Sequence, residues 1–337
     1  MTGMARTLNL AARIAISVLL LLTPLAAQPQ YTQATPWSYW VPMDINAPPK
    51  GDKAVILMAP NAGAPDVPIP GAYFKPVGTP RGAVVIVNSA TGWTDAREGH
   101  FGRSLSSAGY AVLAIDSYGP RGVTGTLIDN ARLSFFVQAR DAYAARRYLV
   151  ANGHAADRIA IMGTGRGGTV ALLAADKSFL QDETERFNLA VAISPGCMLH
   201  PRAPKPGAGI FMAVADKDDI SGVGPCRDLA RDYAEAGGRV SVKTYAGASG
   251  SFDGHPAMTR RVREPFAETF LTCKVPVELD GRMVLGARQF FENDYAALIA
   301  EMRKACMGKS GTAWTNLTQK ANVTLDVIAF LDASFRR

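Results

Sequence analysis

Short, continuous apolar runs recur along the chain from residue 82 onward, the pattern typical of strands buried on both faces of a sheet. They span residues 82–87, 110–115, 158–162, 189–193, 210–214 and 240–245. Stretches with helical periodicity lie between and after them, at residues 97–107, 133–149, 167–175, 226–236, 295–307 and 317–335. Strands that alternate with helices predict an α/β fold, with a mostly parallel, doubly wound sheet and helices on both faces.

Two shorter segments precede this alternation. Residues 54–58 and 72–75 are strand candidates separated by Gly- and Pro-containing sequence, which predicts an antiparallel sheet edge. Residues 254–293 have no clear periodicity, and we interpret them as a possible insertion that covers the top of the sheet. No internal repeat or linker divides residues 51–337, so a single domain is expected, preceded by an irregular arm at residues 28–50.

The first residues have the pattern of a secretory signal peptide. Arg6 and Arg13 supply positive charge, residues 14–22 form a short apolar run, and small residues follow at 23–27. We therefore expect cleavage after about residue 27, with an uncleaved anchor as the alternative. Since no later stretch is long and apolar enough to span a membrane, the mature protein is expected to be soluble, and periplasmic or secreted.

Composition and charge narrow the function classes. The hydrophobic share of 48% supports a sizeable core. The full chain carries a formal charge of +7, and removal of the signal peptide, which holds two Arg and no acid, leaves +5. Because this charge is spread out, with no basic block interleaved with aromatic residues, nucleic-acid binding is not expected.

The four cysteines, Cys197, Cys226, Cys273 and Cys306, all lie beyond the predicted signal peptide. An even number in an oxidising compartment favours disulfides. Three pairings are possible, and the order along the chain favours Cys197–Cys226 and Cys273–Cys306. Zinc is the competing interpretation, but no CxxC or HxxxH spacing supports it, so no metal is predicted.

A glycine-rich turn follows the strand predicted at residues 158–162. It reads Gly163-Thr164-Gly165-Arg166-Gly167-Gly168 and leads directly into a helix. In open α/β sheets, chemistry gathers at such carboxyl ends of strands. One interpretation is a dinucleotide-binding GxGxxG fingerprint. However, the motif lies mid-chain and the next strand, 189–193, is not followed by an acid for a ribose, so no cofactor is predicted.

The other interpretation is a nucleophile elbow, G-x-S-x-G, in which small residues flank a nucleophile at a tight strand–helix turn. Gly163 and Gly167 take the flanking positions, and the nucleophile position falls on Gly165, which has no side chain. Thr164 precedes the tip and is expected to point the other way. The simplest alternative is that these glycines only build a close turn.

Several further segments carry a resemblance to a known family. They read VVIVNSATGW at 84–93, GYAVLAIDSYGPRG at 109–122, SPGC at 194–197, ADKDD at 215–219 and YAGASGSFD at 245–253. With the elbow and the order of these parts, the chain resembles the dienelactone hydrolase family over residues 54–253. The resemblance implies an α/β-hydrolase fold and ester or lactone hydrolysis by a Cys or Ser, an Asp and a His, in that chain order.

The resemblance also implies which residues occupy the catalytic positions. The nucleophile maps to Gly165 and the acid to Asp218, with Asp219 as the alternate. The family's H-x-F-D segment corresponds to residues 250–253, so the base position is Gly250. A family member without nucleophile and base is expected to be catalytically degenerate. His255, five residues beyond Gly250, is the candidate substitute base.

These residues also have simpler, purely structural interpretations. The three acids of segment 215–219 could simply form a turn after a strand, which Asp favours. His255 could be an ordinary loop residue. Of the other histidines, we expect His100 on a helix surface, His154 in solvent and His200 in a loop.

A site without nucleophile could still bind a ligand. The N–H groups around Gly165, Arg166 and Gly167 open a predicted helix, which favours anions. Those of Ser89 and Ala90 would complete an oxyanion-type pocket, and Arg166 and Arg121 could add positive charge. The ligand-binding prediction therefore comprises Ser89, Ala90, Arg121, Arg166 and Gly167.

Three functional hypotheses follow. The leading one is a catalytically degenerate relative of hydrolases that binds a small ester or carboxylate ligand or serves a structural role. The second is an active ester or lactone hydrolase with a relocated catalytic set, such as Asp218 with His255 and an activated water or a nearby Ser. The third is a module that binds a protein partner through the N-terminal arm and residues 254–315.

Overall fold

Strands and helices alternate through most of the protein. The computed structural model describes residues 49–61, 64–179 and 185–336; the predicted signal peptide and nearly all of the predicted arm lie outside them. The strands are β1 (Lys53–Asn61), β2 (Ala64–Phe74), β3 (Ala83–Val87), β4 (Ala111–Ile115), β5 (Ile159–Thr164), β6 (Leu189–Ile193), β7 (Leu199–Pro201), β8 (Gly209–Ala215), β9 (Val240–Tyr245), β10 (Val262–Thr269), β11 (Val275–Val277), β12 (Met283–Leu285), β13 (Arg288–Phe290) and β14 (Gly308–Ala313). The helices are α1 (His100–Ser107), α2 (Phe135–Ala151), α3 (Arg166–Ala175), α4 (Gly224–Glu235), α5 (Tyr295–Ala305) and α6 (Leu317–Phe335).

Eight of these strands form one sheet in the order β1-β2-β4-β3-β5-β6-β8-β9. The pairs β1–β2 and β2–β4 are antiparallel, and every other neighbouring pair in this sheet is parallel. The prediction of a mostly parallel sheet with an antiparallel edge is confirmed. The strand order places the carboxyl ends of β3, β5, β6 and β8 side by side, which is where ligands bind in open sheets of this kind.

Helices cover both faces of the sheet. On one face, Phe101 of α1 and Val327 of α6 pack with Val84 of β3. On the other face, Val170 of α3 packs in a cluster with Val85, the next residue of β3. Because successive side chains of a strand point to opposite faces, a strand covered on both sides must be apolar throughout. This explains the continuous apolar runs of the sequence.

Residues 254–315 add two small sheets beside the main one. Strands β10 and β14 form an antiparallel pair, and β13-β12-β11-β7 form a four-stranded sheet. The sequence predicted no strand after residue 245. Strands β10 and β14 were missed because β10 has alternating exposure broken by a register shift, and β14 reads Gly-Lys-Ser-Gly-Thr-Ala.

Two disulfides each link an irregular segment to one end of a helix. Cys197 pairs with Cys226, and Cys273 pairs with Cys306, as the order along the chain predicted. The first ties the segment after β6 to the first turn of α4, and the second ties the segment after β10 to the residue that ends α5. Among the described helices, none has both the length and the apolar character to cross a bilayer.

Candidate functional site

The turn between β5 and α3 has the geometry of an elbow. Gly165 at its tip has φ +54° and ψ −116°. A Cβ on Gly163 would collide with the backbone of Gly167, and a Cβ on Gly167 would collide with the carbonyl oxygen of Val87. Both glycines are therefore needed for the close strand–helix crossing. A Cβ on Gly165, in contrast, would meet nothing within 4 Å, so the tip faces open space.

A cavity of about 110 Å³ lies at this tip. Part of its wall is apolar and comprises Leu127, Phe135, Met198, Ile220, Met258 and Phe270. The polar part includes Ser89, Thr91, Arg97, Thr164, Arg166 and His255. Gly165 and Gly250 both line it. Contributions from Met258 and Phe270 mean that the segment we expected to cover the sheet, residues 254–293, supplies part of the wall.

The structure brings together only some of the residues predicted to bind a ligand. Ser89, Ala90 and Arg166 line the cavity. Gly167 packs against the backbone of β3 instead. Arg121 is not part of the cavity wall: its guanidinium donates two hydrogen bonds to the buried Asp141, at 2.8 and 2.9 Å. The prediction that Arg121 adds charge to the pocket is corrected, because this carboxylate holds it elsewhere.

Asp218 lies directly beside Gly250. A Cβ built on Gly250 would stand 2.6 Å from Oδ1 of Asp218. The same Oδ1 accepts hydrogen bonds from the N–H groups of Ile220 and Ser221, both at 2.9 Å. Burial raises the pKa of Asp218 to about 6, against the opposing effect of these N–H donors. The carboxylate thus stabilises the turn after β8 and also fills the space next to Gly250.

The alternate acid, Asp219, points elsewhere. Its carboxylate accepts hydrogen bonds from the N–H and hydroxyl of Thr312 in β14, at 2.7 and 2.5 Å. Asp219 therefore connects the main sheet's β8 loop to the β10–β14 pair. Of the two candidate acids, the structure places Asp218 next to the position that corresponds to the family's histidine.

His255 lines the cavity, but its ring is not arranged as a general base. Its Nδ1 accepts a hydrogen bond from the N–H of Ala257 at 3.1 Å, so in the neutral ring the proton sits on Nε2. A triad base needs the opposite arrangement, with Nδ1–H donated to a carboxylate and Nε2 free to accept a proton. In this geometry His255 offers the cavity a donor.

The three other histidines lie outside the cavity wall. Nε2 of His100 is 3.1 Å from Oγ1 of Thr324 in α6, and burial lowers the pKa of His100 to about 4. His154 lies 3.2 Å from the hydroxyl of Tyr73 and is half-buried, so it is less solvated than expected. The loop prediction for His200 is wrong, because this residue is buried in β7, which pairs with β11.

Sequence reasoning missed a polar network on one side of the cavity. The hydroxyl of Thr164 donates to Oδ2 of Asp253 at 2.6 Å. Nε of Arg97 donates to Oδ1 of Asp253 at 3.3 Å, and Nη1 donates to the hydroxyls of Ser89 and Thr91 at 2.7 and 3.1 Å. Thr164 contributes to the cavity wall, but its hydroxyl is directed at Asp253, which is fully buried and not part of that wall. The alignment of residues 250–253 with the family's H-x-F-D segment was the only available signal of this network.

Charged neighbours surround that network. Glu98 is buried and accepts hydrogen bonds from the N–H groups of Thr94 and Ser89, and burial raises its pKa. Lys320 of α6 donates to the carbonyl oxygens of Ala96 and Gly254, and burial lowers its pKa to about 8.

Arg166 supplies positive charge on the other side. Its guanidinium donates to Gln138 at 2.6 Å, to Asn130 at 3.0 Å and to the carbonyl oxygen of Leu133. It lies 4.0 Å above the ring centre of Phe135. No carboxylate of the described residues comes within salt-bridge distance of it. This buried cation is held by neutral acceptors and can attract an anion. The cavity wall also contains the carboxylate of Glu268, which accepts hydrogen bonds from Asn130 and Arg303.

Within the described ranges, no three His, Cys, Asp or Glu side chains are close enough together to hold a metal ion.

Residues 69–262, more than half of the chain, match the model of the dienelactone hydrolase family. The chain belongs to the dienelactone hydrolase family. The predicted family and its α/β-hydrolase fold are thereby confirmed.

The chain also resembles several solved structures. One, described as a dienelactone hydrolase, is from Klebsiella pneumoniae, with 18% identity, a TM-score of 0.47 and coverage of 59% of this chain and 88% of that one. An esterase from Thermogutta terrifontis has 15% identity, a TM-score of 0.46 and coverage of 58% and 82%. A dienelactone hydrolase-like phosphotriesterase, P91, from metagenomic libraries has 18% identity, a TM-score of 0.46 and coverage of 59% and 84%. No curated protein matches the sequence significantly.

Proposed function

We propose that this member of a hydrolase family is catalytically degenerate and binds a small carboxylate- or ester-bearing ligand in the cavity at the elbow. One observation carries the proposal: Gly165 and Gly250 both line the cavity, while Asp218 lies against Gly250. These are the three positions that the family resemblance assigns to nucleophile, base and acid. Covalent acyl transfer needs the first two, and glycine supplies neither.

The charge and shape of the cavity support binding. The first-turn N–H groups of α3 carry the positive end of the helix dipole. Arg166 and Arg97 also line the wall, and apolar side chains such as Met198 and Phe270 complete it. Concave, mostly apolar sites with a few polar groups are typical of small-molecule pockets.

We further propose that the protein is exported. The predicted signal peptide over residues 1–27 motivates this, and two disulfides, Cys197–Cys226 and Cys273–Cys306, fit an oxidising compartment. Expression with the native N-terminus, followed by fractionation and mass spectrometry, tests it: recovery of an intact N-terminus in the cytoplasm would contradict export.

Ligand binding and the lack of catalysis are tested together. We expect no labelling by serine- or thiol-directed acylating probes, no turnover of a broad ester panel, and a ligand-induced rise in melting temperature with small organic acids. In the cavity-filling variant Ala90→Phe, this rise should disappear. The matched control Ala155→Phe changes an exposed alanine outside the cavity wall and should keep it. Labelling of an elbow residue by such a probe would contradict the proposal.

A second candidate function rests on Thr164. Thr164 lines the cavity and its hydroxyl donates at 2.6 Å to Asp253, which makes it the candidate nucleophile of a relocated catalytic set. Asp253 is at the same time paired with Arg97. This hypothesis predicts ester turnover that Thr164→Val abolishes and His255→Ala leaves unchanged. Turnover lost in His255→Ala would favour the His255 set instead.

A further inference from the structure

Among the described residues, one guanidinium nitrogen of Arg97, Nη2, has no hydrogen-bond partner. The residue is only 7% exposed, and its Nε and Nη1 are occupied by Asp253, Ser89 and Thr91. Nη2 would lie 3.4 Å from a Cβ on Gly254, and both Arg97 and Gly254 line the cavity. A buried guanidinium is thus fixed by its partners with one donor edge directed at the cavity.

The neighbouring polar group on this side is also a donor. His255 follows Gly254 in the chain, and its Nδ1 is occupied by the N–H of Ala257, so the neutral ring carries its proton on Nε2. Arg97 cannot accept a hydrogen bond at all. A ligand group that satisfies these donors must be an acceptor, and a carboxylate oxygen accepts a strong, charge-assisted hydrogen bond from a guanidinium N–H.

The rest of the cavity wall limits the polarity and size of the part of the ligand that lies beyond its acceptor group. Met198, Ile220, Met258 and Phe270 provide apolar surface. The volume of about 110 Å³ is somewhat below that of a cavity of about 150 Å³ known to bind benzene. A single ring or a short alkyl chain is the size that fits.

We propose that Arg97 is the carboxylate-binding residue of the cavity and that the ligand is a small monocarboxylic acid with an apolar body. The inference rests on the proposed function, since a ligand-binding site is presupposed. It goes further in assigning the free acid, rather than the ester, as the ligand and in assigning Arg97, rather than Arg121, as the residue that recognises it. Asp253, Ser89 and Thr91 act through Arg97 as positioning residues.

Matched ligands test this on the intact mature protein. Titration calorimetry compares benzoate with benzamide and hexanoate with hexanamide, pairs that differ in charge and hardly in shape. We expect at least one acid to bind tenfold or more tightly than its amide. Arg97→Lys keeps a cation beside Asp253 but removes the Nη2 donor, so it should weaken acid binding about tenfold without changing amide binding. The control Arg121→Lys alters another buried Arg–Asp pair outside the cavity wall and should leave acid binding intact.

A second variant keeps the test decisive if Arg97→Lys does not fold. In Gly254→Ala the added Cβ would lie 3.4 Å from Nη2 of Arg97, and 3.0 Å from both the carbonyl oxygen of Ser251 and Oγ1 of Thr315. It narrows the approach to Nη2 without changing any charge, and should likewise reduce acid binding. Its control is Gly224→Ala, where a Cβ meets nothing within 4 Å. Equal affinity for acid and amide, or acid preference that survives in Arg97→Lys or Gly254→Ala, overturns the inference while ligand binding stands. Absence of binding by either ligand class in the wild type overturns the proposed function itself.

Discussion

The proposed nucleophile position and the proposed base position are both glycine, yet their surroundings differ. Space around the tip of the elbow is open, because a Cβ on Gly165 would meet nothing within 4 Å. The corresponding space at Gly250 is occupied by the carboxylate of Asp218, 2.6 Å from where a Cβ would stand. One position keeps room for a side chain, and the other has lost it.

The difference lies in what surrounds each position. The elbow is defined by backbone, since the crossing of β5 and α3 depends on contacts of Gly163 and Gly167 that no side chain can adjust. The space beside Gly250 is bounded by a side chain, and Asp218 can rotate into it and bond to the N–H groups of Ile220 and Ser221. Backbone-defined sites keep their shape when a functional side chain is absent, whereas side-chain-defined sites can close.

The largest expected effect comes from restoring both positions at once. Gly165→Ser with Gly250→His should raise ester turnover about 100-fold or more above wild type, because a positioned base alone contributes roughly 10²–10⁴-fold. The histidine requires Asp218 to rotate away from Ile220 and Ser221. Each single variant should remain inactive. Hydrolysis of p-nitrophenyl esters measures this.

A folded but silent double variant would mean that Asp218 does not rotate back, or that the triad positions are assigned to the wrong residues. A crystal structure of that variant separates the two, through the distance between Asp218 and the new imidazole.

Alanine substitutions at the two elbow glycines, Gly163 and Gly165, should lower the free energy of unfolding by different amounts. Gly163→Ala should lower the free energy of unfolding by about 3 kcal/mol, since its Cβ collides with backbone. Gly165→Ala should lower it by only about 1–2 kcal/mol, because strain at positive φ is its sole penalty. Urea denaturation measures both, with Gly224→Ala as the control. Equal losses at 163 and 165 would contradict the distinction.

A pH-dependent effect on stability is expected at Asp218. Its pKa is about 6 in the folded protein against an ordinary value of 3.8, so the folded state binds more protons between about pH 4 and 6. Stability from this group is therefore present below about pH 4 and is lost as pH rises through 6. Relative to wild type, Asp218→Asn should gain free energy of unfolding on going from pH 4 to pH 8, by up to about 3 kcal/mol, because one pKa unit corresponds to about 1.4 kcal/mol.

Unfolding curves recorded from pH 4 to 8 measure the difference, with the exposed Asp157→Asn as the control. If wild type and Asp218→Asn vary in parallel across this range, Asp218 is not the buried acid described above.

Much of the fold could be predicted because its signals are local. Strands such as β3 and β6 are continuous apolar runs, and the disulfide pairing followed chain order. The adjacency of Asp218 and Gly250 was also accessible, because both follow neighbouring parallel strands, β8 and β9, whose carboxyl ends share one edge.

The site's charges were not predictable in the same way. Arg121 and Arg97 are both basic residues near strand ends, and nothing local distinguishes them. Tertiary partners decide: Asp141 of α2 holds Arg121 outside the cavity wall, while Asp253, 156 residues away in the chain, holds Arg97 at it. Short strands such as β14, rich in Gly and polar residues, lack the apolar pattern on which prediction depends.

The backbone at Gly165 bears on how such a protein arises in evolution. A residue other than glycine at φ +54° carries conformational strain of roughly 1–3 kcal/mol. A mutation from a nucleophilic residue to glycine would therefore relieve strain and stabilise the fold at the step that ends covalent chemistry. Under the proposed function, folding stability would favour the loss of catalysis, and a return to catalysis would have to proceed against it.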